Sequence, residues 1–216
     1  MDESSNAKKM VEICQRLHAK NMLAAADGNV SVRISNEEIL ITPSQRHKGF
    51  LQASDLATIT LEDRVVSGTP SSERAMHLAV YRKVPHAKCI VHAHPPVAIA
   101  WSVARPELEE LPSDALSEVI LAAGRIPIIP YARPGTKQMG AALESFLPQC
   151  RIFILARHGA LTWGESLEEA YWGMERLEHS ATILKAAVEL GGVHKLPPEE
   201  VQHLRKLRHE LGEKIL

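Results

Sequence analysis

Apolar residues recur along this chain with two different periods. Met10, Val11, Ile13, Cys14 and Leu17 follow helical spacing and predict an opening helix over residues 7–21. Short β-branched runs follow at 30–34 and 38–42, split by the turn signal Ser35-Asn36, and a third strand is expected at 57–61, closed by Glu62-Asp63. The polar stretches 42–49 and 67–72 read as loops. The second runs into a helix over 73–83, for which Ser71 or Ser72 is the expected N-cap. A strand at 88–92 precedes a helix that takes Pro95 and Pro96 in its first turn, where proline is tolerated. Runs at 125–130 and 151–155 flank a helix over 137–146. Ser166 with Glu169 forms a capping-box pattern that opens a long helix to about Leu190. Leu167, Ala170, Tyr171, Met174, Leu177, Ala181, Leu184 and Val188 mark its buried face, Gly191-Gly192 ends it, and Pro197-Pro198 leads into a charged final helix. Strands interleaved with helices predict an α/β domain spanning residues 1–216, with helices on both sides of a central sheet that early hairpins make at least partly antiparallel.

Composition narrows the classes of function. The chain has 216 residues, 45% of them hydrophobic and 24% charged, with a formal net charge of −1. That balance fits a soluble globular protein and offers no basic footprint for nucleic acid or an anionic membrane. No apolar run approaches the roughly 20 residues that span a bilayer. The polar start MDESSNAKKM lacks the apolar core of a secretory signal. Cys14, Cys89 and Cys150 are odd in number and far apart, which favours reduced thiols in the cytoplasm over a disulfide framework.

The chemistry concentrates in a few short segments. In "CIVHAHPPVAIAW", His92 and His94 stand one residue apart at a strand end, so both imidazoles face one way. Two neutral imidazoles on one face suit a divalent metal; a pair of half-exposed strand-end histidines would read the same. "FILARHGALTWG" adds His158 beside Gly159 at the end of a second apolar run, a position that also suits an ordinary core histidine. Glu73, behind two serines, is favoured electrostatically at a helix N-terminus, and near a metal it serves equally as ligand or general base. Gly28-Asn29 offers close backbone approach and an amide donor. Ser44 lies in a polar loop with Arg46 and Lys48, basic side chains expected to be solvated, and Ser71 and Ser72 stand at a helix N-terminus, a ready anion site. Each loop alone is an ordinary turn; three together suggest a phosphate cradle beside a metal.

The ordered set G-N-x-S (28–31), T-P-S (42–44), P-S-S-E (70–73), H-x-H (92–94) and H-G (158–159), with "IPYARPGT" at 129–136, resembles the class II aldolase/adducin family over nearly the whole chain, nearest its fuculose-1-phosphate aldolase branch. The resemblance implies a single-domain α/β/α three-layer fold with a central mixed, largely antiparallel sheet. It implies that His92, His94 and His158 hold a divalent metal, usually zinc with manganese or cobalt as alternatives, and that Glu73 is a metal-proximal acid/base or further ligand. Asn29, Ser44, Ser71 and Ser72 would hold a substrate phosphate, and the assembly would be a homotetramer with sites at subunit interfaces. The implied reaction is reversible cleavage of a ketose 1-phosphate to dihydroxyacetone phosphate and an aldehyde through a metal-stabilised enediolate.

Two departures qualify the resemblance. Aldolases of this branch use a tyrosine to handle the proton of the departing oxygen, yet residues 111–124 contain none, with Ser113, Asp114 and Glu118 as available polar substitutes; the final helix also lacks one, although His203 and His209 lie there. Gln45 stands where the T-P-S loop usually continues with glycine. A methylthioribulose-phosphate dehydratase reaction is therefore the alternative. Sugar-phosphate 4-epimerases usually carry aspartate in place of Glu73, and an adducin-like interaction module would lack the histidines. His77 and His179 have no partner evident in the sequence.

Overall fold

The computed structural model describes residues 3–216. Helix α1 (Glu3–Ala19) is followed by strands β1 (Asn29–Arg33), β2 (Glu38–Ile41), β3 (Ala57–Thr60) and β4 (Val65–Ser67). Helix α2 (Arg74–Lys83), strand β5 (Cys89–Ala93), helices α3 (Pro96–Ala104) and α4 (Ser117–Ala122), strand β6 (Ile128–Ile129) and helix α5 (Lys137–Leu143) come next. Strands β7 (Ile152–Leu155) and β8 (Gly159–Gly164) precede α6 (Leu167–Glu189) and α7 (Pro198–Glu210). The eight strands form one sheet in the order β4-β3-β2-β1-β5-β8-β7-β6, antiparallel throughout except for the parallel pair β6–β7. This is the mixed, largely antiparallel α/β arrangement that the sequence predicts.

Alternation of side chains decides which residues serve which layer. Val30 and Val32 of β1, Val91 and Ala93 of β5, and Ile152 and Ile154 of β7 pack with residues of α1, α3 and α6. Ile90, Ile39, Ile59, Phe153, Leu161 and Trp163 point the other way, into a core shared with α2 and α5. With both faces covered, the central strands are almost wholly apolar. The polar residues that interrupt the α2 face, Asn29, Ser31 and His92, are all buried and therefore conspicuous.

Several sequence expectations shift. The apolar run expected to end in His158 is a hairpin, with His158 in the turn between β7 and β8. The N-cap expected at Ser71 or Ser72 falls at Glu73, whose backbone N–H donates to Ser71 Oγ over 3.2 Å. Val188 is 47% exposed, because the last turns of α6 run past the sheet. The final helix is not wholly solvated: Val201 and Leu204 pack on Ile120 of α4, and Arg208 is buried, donating to the carbonyls of Leu121, Lys214 and Glu213.

The capping box at α6 forms by half. Ser166 Oγ accepts the Glu169 N–H at 3.1 Å, but the Glu169 carboxylate turns instead to the Glu165 N–H, the Ile215 N–H and the Arg151 guanidinium, at 2.7, 3.0 and 2.8 Å. Arg151 stacks over Trp163, 4.3 Å from its ring centre. This buried pair ties the chain's end to β7 and α6, and removing Glu169 leaves two backbone N–H groups without their acceptor and Arg151 with Glu165 alone, 3.1 Å away. E169A is expected to lower the urea-unfolding free energy by about 3–5 kcal/mol, and the double variant R151M/E169M to cost less than E169A alone.

Candidate metal centre

The site forms where β1, β5 and β8 end together. Asn29 pairs with His92 across β1–β5, and His92 pairs with Leu161 across β5–β8. His94 follows the end of β5, its backbone N–H held by the Met22 carbonyl at 2.8 Å. His158 enters from the β7–β8 turn, and Glu73 from the start of α2. The three imidazole rings lie 4.9–5.1 Å apart, centre to centre. One ligand atom from each of His92, His94 and His158 falls within 4.8 Å of the others, the one such cluster among the described residues.

The donor set fits a divalent cation. His92 Nδ1 lies 2.8 Å from the Ala160 carbonyl, which can only accept. That bond places the ring proton on Nδ1 and leaves the Nε2 lone pair facing the cluster, the support a metal-bound histidine needs. His94 Nδ1 lies 3.4 Å from Asp27 Oδ2, so its Nε2 likewise turns inward. Burial, then the neighbouring His92 and His158, pull His94 down to about 4, outweighing the opposite effect of Asp27 and Glu73. It is neutral at physiological pH, the form in which an imidazole can bind a metal.

Gly159 makes the convergence possible. A Cβ there would stand 2.8 Å from His92 Cε1 and 2.9 Å from His94 Cδ2. Gly28 works similarly from the other side: its φ is +70°, and a Cβ would meet the His92 carbonyl at 2.8 Å. The glycines of the G-N and H-G motifs are thus the places where backbone passes the histidines too closely for a side chain.

Glu73 closes the cluster. Its Oε1 lies 3.1 Å from His158 Nε2, and its Oε2 lies 3.3 Å from His92 Nε2 and 2.9 Å from Asn29 Nδ2, which donates to it. Burial opposes ionisation, but the adjoining His158 and His92 outweigh it, so the carboxyl sits well below the usual carboxylate range.

The predicted phosphate loops do come together. Pro43 and Pro70 form an isolated antiparallel bridge, with Ser44 N–H on the Thr69 carbonyl (3.0 Å) and Ser71 N–H on the Thr42 carbonyl (3.1 Å). Thr42 is tied in turn to Val30. This places Ser44, Ser71 and the exposed Ser72 at the mouth of α2. Asn29 stands apart from them in role. It is 2% exposed, and its amide engages Glu73 on one side and His77 on the other. Gln45 adopts a left-handed φ of +54° with its side chain exposed, the backbone that suits glycine at that point. Lys48, expected to be solvated, is 2% exposed and donates to the carbonyls of Ala26 (2.7 Å) and Arg46 (2.8 Å). It clamps this loop to the segment before β1.

A match to the family described as the class II aldolase and adducin N-terminal domain covers residues 8–184. The chain belongs to the class II aldolase and adducin family. Among its relatives, a 3-oxo-tetronate 4-phosphate decarboxylase of Escherichia coli O6:H1 is 33% identical over 84% of this chain and 87% of its own length. An L-fuculose phosphate aldolase of Methanococcus vannielii is 32% identical over 82% and 93%. The crystal structure of YgbL from Klebsiella pneumoniae superimposes with a TM-score of 0.88 at 32% identity, covering 95% of this chain and 100% of that one. Class II aldolase family members are typically metal-dependent, and the three histidines of this one are its candidate ligands.

Sequence reasoning passed over His77, Ser31, Tyr81 and Asp27. The signal was present: Glu73, His77 and Tyr81 are spaced i, i+4, i+8 on one helix, while Asn29 and Ser31 share one face of a strand.

Two outcomes follow for this class II aldolase-family chain. G159A is expected to weaken zinc binding at least ~10-fold by displacing two rings, read by competition with a chromogenic chelator. The second concerns acid stability. Burial first, then His92, hold His77 down to about 3 against a smaller opposite effect of Glu73, whereas a free histidine titrates near 6.5. Between those values the unfolded chain binds the extra proton, so this contribution to stability is complete above pH 6.5 and falls as pH drops toward 3. The slope for one group reaches about 1.4 kcal/mol per pH unit. Urea unfolding of metal-free protein at pH 7.5 and pH 5, roughly bracketing that range, should show a smaller loss in H77Q than in wild type.

Proposed function

We propose that this protein is a metal-dependent lyase that acts on a small phosphorylated ketone and breaks the bond between the carbon beside the ketone and the next carbon, with decarboxylation of a 3-oxo acid phosphate as its reaction. The observation that carries the choice is that residues 111–124 hold no tyrosine and that their Asp114 is committed to ion pairs. Both reactions leave the bonding electron pair on the carbon beside the ketone, as an enediolate of dihydroxyacetone phosphate. In aldol cleavage the departing carbon bears a hydroxyl that must lose its proton as an aldehyde forms. In decarboxylation the departing group is carbon dioxide, and no proton is removed from it. One acid/base group then suffices, to pass a proton from solvent water to the remaining carbon, and Glu73 fills that role.

The polar groups of residues 111–124 support this reading. Asp114 is paired with Arg205 at 2.8 Å and lies 3.8 Å from Lys195, Ser113 is buried, and Glu118 is exposed. The names of relatives at 32–33% identity support the same chemistry. Aldol cleavage of a ketose 1-phosphate is the second reading, favoured by the aldolase relatives at similar identity.

A divalent cation held by His92, His94 and His158, zinc by the preference of three nitrogen donors or else manganese or cobalt, would supply Lewis-acid polarisation of the substrate ketone. Ser44, Ser71 and Ser72 would seat the phosphate at the N-terminal mouth of α2, where the helix dipole favours an anion. That anchorage fixes the reacting carbon relative to Glu73. We place the protein in the cytoplasm, its three cysteines free and buried, as one domain over residues 1–216 and as a homotetramer. Trp172 and Ile183 on α6, 49% and 40% exposed, supply apolar surface for the assembly. Among the described residues no helix is long and apolar enough to cross a membrane.

Zinc-loaded protein is expected to release carbon dioxide and dihydroxyacetone phosphate from 3-oxo-tetronate 4-phosphate, and to turn over L-fuculose 1-phosphate far more slowly. E73Q should lower kcat by ~100-fold or more with metal content unchanged. Dihydroxyacetone phosphate from neither substrate would end both readings.

A further inference from the structure

Behind Glu73 runs a chain of buried polar side chains to which the proposed reaction assigns no role. Asn29, Ser31, His77 and Tyr81 are 2%, 0%, 0% and 1% exposed. Asn29 Nδ2 donates to Glu73 Oε2 at 2.9 Å, Asn29 Oδ1 meets His77 Nε2, His77 Nδ1 lies 2.7 Å from Ser31 Oγ, and Ser31 Oγ lies 2.9 Å from the Tyr81 hydroxyl. The links alternate between α2 and β1, lacing the helix to the strand five residues deep.

Donor and acceptor roles along the chain are fixed by its ends. A carboxylate only accepts, so the Asn29 NH2 faces Glu73 and its carbonyl faces His77. That carbonyl requires a proton on His77 Nε2. A neutral imidazole then presents Nδ1 as acceptor, which takes the Ser31 hydroxyl proton, and the freed Ser31 oxygen accepts from Tyr81. Burial keeps His77 neutral and so preserves this order. Every hydrogen points toward Glu73. The amide in the second position neither gives nor takes a proton at neutral pH, so the chain transmits orientation and dipole, not protons.

We propose that His77, backed by Ser31 and Tyr81, is a positioning residue that locks the Asn29 amide and through it holds the Glu73 side chain in one rotamer against the imidazole cluster. Glu73 has two imidazoles at its two oxygens. Without the fixed Asn29 donor the carboxylate can rotate toward either, and the oxygen that moves the proton is no longer defined. His77 fixes that donor from a place no substrate reaches. The inference rests on the reading of Glu73 as the proton-moving group.

The test uses zinc-loaded full-length protein with H77L, H77Q, Y81F and E73Q. H77L is expected to lower kcat ~30–100-fold with KM within threefold and zinc stoichiometry unchanged, since misplacement by about an ångström costs that order. H77Q, whose amide can donate to Asn29 and accept from Ser31, should recover most of the loss; Y81F should cost ~2–5-fold, as one neutral hydrogen bond at the far end. A readout independent of activity is the ¹⁵N spectrum of His77 in metal-free protein, expected to show the Nε2–H tautomer unchanged between pH 5 and 8, a range chosen as roughly that of ordinary histidine titration. An Nδ1–H tautomer, or E73Q inactive while H77L retains kcat within about twofold, would overturn the inference and leave the proposed function standing. Full activity of E73Q would overturn the reading of Glu73 and this inference with it. If H77L does not fold, H77Q and Y81F with the spectrum decide: equal kcat in all three proteins overturns it.

Discussion

Asn29, His92 and Leu161 stand side by side across three hydrogen-bonded strands, and this register is what the site depends on. Side chains alternate along a strand, so a slip of one residue in β5 would send His92 into the α1–α6 core and bring Val91 or Ala93 to the α2 face. The same alternation in β1 puts Asn29 and Ser31 toward α2 while Val30 and Val32 fill the opposite core. Apolar packing on both faces of the sheet therefore positions the polar residues. The cost of burying Val30, Val32 and Val91 in the wrong layer holds the imidazoles in place more firmly than their own contacts do.

Within that frame the electrostatics are tightly balanced. A carboxylate, three histidines and a neutral imidazole share one end of a sheet with little water. Burying the Glu73 charge is unfavourable by itself; the Asn29 amide offsets it with a directed bond, and His158 and His92 stand beside its two oxygens. His92 turns its Nε2 inward because its Nδ1 faces the Ala160 carbonyl, and His94 does the same with its Nδ1 beside Asp27. The apolar interior that makes an unpartnered charge expensive also makes these bonds strong, so each polar group is fixed by the need of the next.

Much of this was legible in the chain. The period-two and helical patterns placed most strands and helices, and the ordered short motifs named the three histidines and the glutamate that the fold brings together. What was not legible has physical causes. His158 lies in a hairpin turn because "ARHG" connects two apolar strands, and an uninterrupted apolar run hides such a turn. Glu169 abandons its capping-box partner because Arg151 and the end of the chain, distant in sequence, offer better ones. Lys48 looked solvated because nothing local announces that Ala26 and Arg46 present carbonyls to it. His77 is the instructive case. Its partners lie on β1, 46 and 48 residues away, yet the spacing of Glu73, His77 and Tyr81 already put all three on one stripe of one helix. Periodicity tells which residues share a face, but only tertiary packing tells what that face meets.

The site divides into two halves with different physical character. The half that stabilises charge on the substrate's retained fragment is built from the buried ends of β1, β5 and β8 and the start of α2, where backbone passes so close that Gly28 and Gly159 admit no side chain. The half that would serve a departing group draws on residues 111–124, where Asp114 is held by Arg205 of α7 and Lys195 just ahead of it. A group committed to two cations makes a poor proton carrier, because each transfer must be made against their field. On the proposed reading, proton handling is asked for only on the side of the broken bond where Glu73 stands, and loss of carbon dioxide asks for nothing on the other.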